Sequence, residues 1–441
     1  MSKVLLIGDI VIDVTLKSQT SNLKLRLGGI VHAARSLWAL NIPYSVGYFS
    51  PSFLNDQISH FLVGHGCSEV FKLGDVIGAP YVFLIEDVKE IGNQGYEFLL
   101  RDEVKINYDL EMLDKIFENQ YDDILLISGN YDQIKIINGL TGNIHIDVAN
   151  NIEDLTFFSA LNKKLNTIFV STSSTIFHKY FNDSFKEFTE TFKKHTEKVI
   201  LKENRGGSRG FDFAIQEAFS ASAQLSPIKH SVGVGDVFDA CFVVNNKHLS
   251  NQESLVLSSW VASEYAQTTY PDDFKRDVNR VLKSNVKDLV NILGASIPWE
   301  RRKEINIYIA APDFSYIDTT HIDTLSKSLK YHNFSPRRPV LENGQMEIEA
   351  TKARKQELFQ KDMILLDNCS ILIAVLLFND PGTLIEIGLA SAKGIPTIVY
   401  DPYSISKNCM LTELPHLITH DMDLIISEIF NLSSKFNSNE K

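Results

Sequence analysis

Between Asp380 and Ala390 the chain reads Asp-Pro-Gly-Thr-Leu-Ile-Glu-Ile-Gly-Leu-Ala, which sets one carboxylate, Glu386, inside an otherwise apolar helix. An unpaired carboxylate is costly to bury, so a residue of this kind is paired, proton-shifted or used in chemistry. Asp380 suits an N-cap, Pro381 suits the first helical position, and Gly382-Thr383 lets the backbone approach a ligand. Glu386 then stands about one and a half turns inside a polar helix mouth. That is the pattern of an active site.

Three other segments can join it. Tyr308 lies in the strand-like Ile307-Tyr308-Ile309-Ala310-Ala311, Asp362 on a helix, and Asn408-Cys409-Met410 after the last expected strand, residues 396–400. The C-terminal ends of parallel strands share the edge where ligands bind, and Tyr308, Asp380 and residues 401–410 fall there. Several acids suggest chemistry at an acetal carbon, with one carboxylate attacking and another protonating the leaving group. Taken singly, Asp362 also reads as a solvated helix face, Asp380 as an N-cap only, and Tyr308 as a core aromatic. The apolar neighbours of Glu386 argue against such a reading for it.

A second constellation is Gly233-Val234-Gly235-Asp236, directly before the apolar Val237-Phe238-Asp239-Ala240-Cys241-Phe242. Two glycines at a helix start let successive N–H groups converge on an anion. Asp236 at its rim can take a proton from a hydroxyl attacking a phosphate. A glycine turn with an Asp N-cap remains the plainer alternative.

The chain that must position these groups has 441 residues, more than one ordinary core needs. Apolar content of 44% and charged content of 22% are those of a globular protein. A net charge of -12 argues against nucleic acid or an anionic membrane as the main partner. Cys67, Cys241, Cys369 and Cys409 are scattered and no HxxxH pair occurs, so neither a disulfide framework nor a structural zinc site is expected. The first residues read as a short strand, not a signal peptide, no apolar run reaches transmembrane length, and a cytoplasmic protein is expected.

Buried strands are expected at Val4–Ile7, Val11–Val14, Ile124–Ile127, Ile144–Val148, Thr167–Val170 and Val199–Leu201, with helices at Val31–Leu40, Asp109–Phe117 and Phe181–Lys194. This alternation implies a parallel α/β sheet. Tyr81–Ile85 and Tyr96–Leu100 read as an antiparallel hairpin, a candidate lid. One long helix is expected to carry Val278, Val281, Leu282, Val286, Leu289 and Val290 on a single face and to stop at Gly294. Beyond a linker a second α/β pattern begins: strand Ile305–Ala311, helices Thr319–Tyr331 and Met346–Leu366, strand Ile371–Phe378, the Asp380 helix, and strand Thr397–Tyr400. The expected organisation is a first domain at 1–293, a linker at 294–303, a second domain at 304–432, and a polar tail at 433–441 that needs no structure.

Over residues 1–290 the chain resembles the ribokinase-like (PfkB) sugar and nucleoside kinases. The resemblance implies that Asp13 holds sugar hydroxyls, that Gly28-Gly29 forms the second substrate motif, and that Asp147 is a sheet-end acid. It makes Asp236 the catalytic base, Gly233, Val234 and Gly235 the anion hole, Gly207 part of the nucleotide site, and ATP with Mg2+ the cofactors. Several positions depart from the pattern. His32 stands where Asn is usual, Ser171-Thr172-Ser173-Ser174 replaces the Asn-x-x-Glu linked to magnesium and phosphate, His230-Ser231 replaces Asp-Thr, and Lys202-Glu203-Asn204 replaces Thr-x-Gly.

Over residues 304–432 the chain is similar to the nucleoside 2-deoxyribosyltransferases, a Rossmann-like (flavodoxin-like) parallel-sheet family. By that resemblance Glu386 is the nucleophile, Tyr308 positions it, Asp362 assists proton transfer at the nucleobase, and Asp380, Asn408 and Met410 line the substrate site, Asn408 from a neighbouring subunit. Ser370 stands where an Asp is common. A bifunctional nucleoside-processing enzyme, dimeric or larger, is the expectation. Two alternatives stay open: a kinase-like ligand-binding module regulating the second domain, and hydrolysis of a dinucleotide such as NAD.

Overall fold

A computed structural model describes residues 3–17, 22–78, 81–93, 96–99, 104–148, 151–347 and 349–438. The chain divides into two compact units, one of residues 1–90 and 94–296, the other of residues 91–93 and 297–441.

The first unit is built on a ten-stranded sheet. In spatial order its strands are Glu217–Ala221, Ser208–Asp212, Thr196–Lys202, Leu165–Ser171, Asn143–Asp147, Asp123–Ile127, Val4–Asp9, Tyr44–Ser50, Cys67–Ile77 and Lys105–Tyr108. From Thr196–Lys202 through Cys67–Ile77 every pairing is parallel. Asp123–Ile127 and Tyr44–Ser50 are buried along their whole length, as strands covered on both faces must be. Asp9, Asp147 and Lys202 each end a parallel strand, so all three fall on the C-terminal edge of the sheet.

Ile12–Thr15 is a strand as expected, but it leaves the main sheet. It pairs with Lys24–Leu27 and Val82–Ile85 in a separate four-stranded sheet whose last member is Tyr96–Phe98. Val82–Ile85 and Tyr96–Phe98 pair antiparallel, which is the expected hairpin; Leu100 lies outside the described residues.

Two expected helices are cut by a capping residue. The helix expected over 181–194 is only Phe185–Glu190, starting where the Ser184 hydroxyl accepts the Glu187 N–H, and a separate helix, Thr175–Tyr180, precedes the expected span. The long helix expected to end at Gly294 is Pro271–Val281 followed by Val286–Val290, capped afresh by Asn285. Val278, Val281 and Leu289 still reach the core, whereas Leu282 is 40% exposed at the break.

The second unit has five parallel strands in the order Ser335–Arg337, Asn306–Ala310, Ile371–Val375, Thr397–Tyr400, Leu417–Thr419. The two edge strands are short and half-buried and carry no apolar run, so periodicity did not reveal them. One sheet face presents Tyr308, Ala310, Leu372, Ala374 and Val399, and Ile387, Ala390 and Leu366 pack on it. The helix expected from Met346 starts at Lys352, where the Thr351 hydroxyl accepts the Arg354 N–H.

Residues read as linker, and residues 433–438 of the tail, are structured. Trp299–Arg302 is a helical turn whose Arg302 is fully buried, donates to the Ile297 carbonyl at 3.2 Å, and lies over the Trp299 and Phe430 rings. The last helix runs Met422–Ser438 and buries Ser433, so a run of Ser and Asn concealed a helix that its apolar face holds down. Among the described residues no helix is long and apolar enough to cross a membrane.

Candidate functional site

In the second unit Tyr308 and Glu386 meet. Tyr308 points from its strand toward the helix Pro381–Ala392, and its hydroxyl donates to Glu386 Oε1 at 2.6 Å. The helix begins as its residues dictate. Asp380 Oδ2 accepts the Thr383 N–H at 2.8 Å and the Thr383 hydroxyl at 2.9 Å, with Pro381 at the first turn. Burial raises the Glu386 carboxyl to about 7; the Tyr308 hydrogen bond opposes that shift, and the charges of Asp362 and Asp380 add to it. Tyr308 is raised by its own burial and by the Glu386 charge, so it stays a donor.

Asp362 is half-buried on Lys352–Asp367, not on a solvated face. Burial raises its carboxyl, and Asn343 partly offsets this by donating to Oδ1 at 2.8 Å. Asn343 closes the short helix Pro339–Asn343, which sequence reasoning did not foresee. Asn408 caps the turn Cys409–Glu413 by accepting the Met410 N–H at 2.9 Å; both residues are exposed. Ser370 spends its backbone N–H on the Asn306 carbonyl.

The first unit holds a second cluster. Gly233 adopts φ 76° and caps Val234–Asn245, a conformation glycine adopts freely. A Cβ there would also lie 2.1 Å from the His32 ring. Burial lifts the Asp236 carboxyl to about 7; the charges of Asp147 and Asp13 reinforce the shift and Lys202 opposes it. Lys202 Nζ donates to Asp147 Oδ2 at 2.9 Å and to Asp239 Oδ2 at 2.7 Å. Asp239 is fully buried; burial pushes its carboxyl up, the Lys202 ammonium opposes this, and the Asp147 charge adds to it. Burial disfavours the Lys202 charge, but the two carboxylates outweigh burial and the ammonium stays protonated.

Asp13, also buried, accepts from His32 Nε2 at 3.1 Å, with Arg26 Nε at 3.6 Å. Burial pulls His32 down to about 4, so the ring is neutral, its proton sits on Nε2, and Nδ1 accepts the Tyr265 hydroxyl at 2.7 Å. Arg35 donates in turn to that hydroxyl oxygen at 3.0 Å. Gly28 is required by contact, since a Cβ would fall 2.1 Å from the Asp13 carboxylate. Gly29 (φ 65°) lies against the Asp9 carbonyl. Gly207 (φ 99°) makes the turn into Ser208–Asp212 and packs on the Ala221 carbonyl; nothing in its geometry joins it to Asp236.

Sequence reasoning missed the Lys202–Asp239 pair. Asp239 is an acid within an apolar helix, the same signal that drew attention to Glu386, and it calls for a partner in the same way.

Residues 307–417 match the family model for nucleoside 2-deoxyribosyltransferase, a span that contains Tyr308, Asp362, Asp380, Glu386, Asn408 and Met410. No curated protein matches the chain. Among solved structures, the chain is similar to a phosphofructokinase-2 mutant from Escherichia coli, at 10% identity over 64% of this chain and 100% of that one, TM-score 0.49. It is also similar to Arabidopsis thaliana ribokinase complexed with ribose and ATP, at 15% identity over 65% of this chain and 100% of that one, TM-score 0.47.

Proposed function

We propose that the second unit cleaves or transfers at the N-glycosidic bond of a (2′-deoxy)nucleoside, with Glu386 as nucleophile. The observation that supports this most strongly is the 2.6 Å hydrogen bond from the Tyr308 hydroxyl to Glu386 Oε1. It holds one carboxylate oxygen in place and leaves Oε2 to attack C1′. The C1′–N bond breaks, its electron pair goes to the base nitrogen, and Asp362, whose carboxyl is biased toward its protonated form, supplies the proton. Water or a second base then displaces Glu386 from C1′. Asp380, with Oδ2 engaged by Thr383, offers its other oxygen to the sugar. Asn408 and Met410, both exposed, complete a substrate pocket in a dimer or larger assembly. Incubating the protein with a panel of nucleosides and counting free base tests the reading. Base release that persists at the wild-type rate in Glu386→Ala would remove it.

For the first unit the reading is ATP-dependent phosphorylation of a sugar or nucleoside, with Asp236 as general base. A carboxyl lifted to about 7 beside a glycine-opened helix start is suited to taking a hydroxyl proton near neutral pH. Asp13, held by His32, would bind sugar hydroxyls. The resemblance implies Mg2+, but the residues present do not fit it. Asp147 and Asp239 already receive Lys202, and Ser171 and Ser173 spend their hydroxyls on one another at 2.7 Å. The Lys202 contacts favour the second reading, a module that binds a nucleotide-like ligand without turning it over. Asp236-dependent ATP consumption with any sugar, nucleoside or base separates the two. We propose a cytoplasmic setting for both activities.

A further inference from the structure

The ion pairs of Lys202 have a meaning for ligand binding that neither activity assigns. Lys202 ends the strand Thr196–Lys202 at the ligand-facing edge of the sheet. Its Nζ would lie only 3.2 Å from a Cβ on Gly235, so the ammonium borders the glycine turn. Two of its three N–H donors are accounted for by Asp147 and Asp239, which leaves one more for a ligand. Its side chain is 13% exposed, and the Asp147 and Asp239 side chains are 8% and 0% exposed.

A magnesium ion demands a near-octahedral shell of oxygens, usually including carboxylates. At this edge one oxygen of each carboxylate already accepts from a cation that belongs to the chain. Ser171 and Ser173, which occupy the metal-linked segment of the resembling family, carry hydroxyls and no charge, and Ser174 caps its helix. A buried ammonium and a glycine-opened helix start are both anion-favouring features, and they are contributed independently by a strand end and a helix.

We propose that Lys202 takes the place of the divalent ion in the first unit, so that a phosphate-bearing ligand binds at Gly233–Gly235 with no metal. The proposal rests on reading that turn as an anion site. It extends equally to a kinase and to a binding module.

The test is equilibrium dialysis of ATP with the full chain, in excess EDTA and in excess Mg2+. Affinities in the two buffers should agree within roughly threefold, and Lys202→Met should lose about tenfold or more in EDTA, the loss of one charge-assisted contact. Magnesium should restore part of that loss, because Asp147 and Asp239 become free to hold it. Mn2+ titration followed by electron paramagnetic resonance should show one ion bound by Lys202→Met and none by the wild type. Removing the cation alone strands buried acid, so Lys202→Met/Asp239→Asn, checked by circular dichroism, provides a balanced second variant. Wild-type binding that vanishes in EDTA overturns the proposal while leaving the kinase reading intact. A folded double variant that binds ATP in EDTA as the wild type does makes Lys202 a structural ion pair and overturns it as well. Absence of ATP binding in both buffers removes the proposal together with the anion-site reading.

Discussion

Glu386 and Asp236 are both carboxylates in the opening turns of apolar helices, and burial lifts both to about 7. What faces them differs. Glu386 receives a hydroxyl donor, Tyr308, which favours the ionised form and fixes one oxygen. Asp236 faces the charges of Asp147 and Asp13, which favour the proton, and Lys202, which opposes them while paired to two other acids. Burial alike raises both carboxyls, and their partners set them apart. In the proposed reading the neutral donor prepares a nucleophile, and the acids around an ammonium prepare a proton acceptor beside an anion site.

The comparison breaks most visibly if the two residues are not separable. Glu386→Ala should lower nucleoside base release by about 10⁴-fold or more, as expected for a lost nucleophile, while ATP consumption stays within roughly twofold. Asp236→Asn should do the reverse, lowering ATP consumption by about 10²- to 10⁴-fold with base release unchanged. Parallel assays on both variants decide this, and a loss of both activities in either one would contradict the division.

Tyr308→Phe sharpens it. Losing a hydrogen bond to a charged group should cost about 10- to 100-fold in kcat for base release. Because that bond lowers the Glu386 carboxyl, its removal should also move the acidic limb of the pH–rate profile above pH 7. Asn343→Ala should act more weakly, by roughly threefold. It removes a contact that lowers Asp362, so the limb of the profile that Asp362 sets should move to higher pH.

Stability supplies the smallest effect. Glu386 binds its proton more tightly folded (about 7) than at its ordinary value of 4.5, so folding takes up a proton between those values. Its contribution is therefore fully present below pH 4.5 and is lost as the pH rises through 7. Asp236 acts in the same direction from its ordinary 3.8 to about 7. In thermal melts Glu386→Gln should flatten the fall in Tm across pH 5–7 relative to the wild type, by a fraction of it, because Asp236 remains.

Much of this was legible in the sequence because the signals were local. Residues 124–127 of the strand Asp123–Ile127 and the whole of Ile371–Val375 are unbroken apolar runs, and Asp380-Pro381 announces its helix. Glu386 was visible as an acid among apolar residues, and Tyr308 as a strand residue at the right edge. What was not legible depends on long-range pairing. Arg302 reads as a linker charge until Trp299, Phe430 and the Ile297 carbonyl enclose it. Lys202 reads as a missing motif until the fold brings Asp147 and Asp239, from a strand and a helix, onto its amine. The late helix start at Ser184 and the helix break at Asn285 were legible as capping residues and were outweighed by periodicity.

The most direct measurement is rapid quenching of the protein with a 2′-deoxynucleoside, followed by peptide mass spectrometry. A burst of free base and a deoxyribosyl ester on Glu386, the ester absent from Glu386→Ala, are expected. Steady base release with no ester at any quench time, or an ester on another residue, would contradict it.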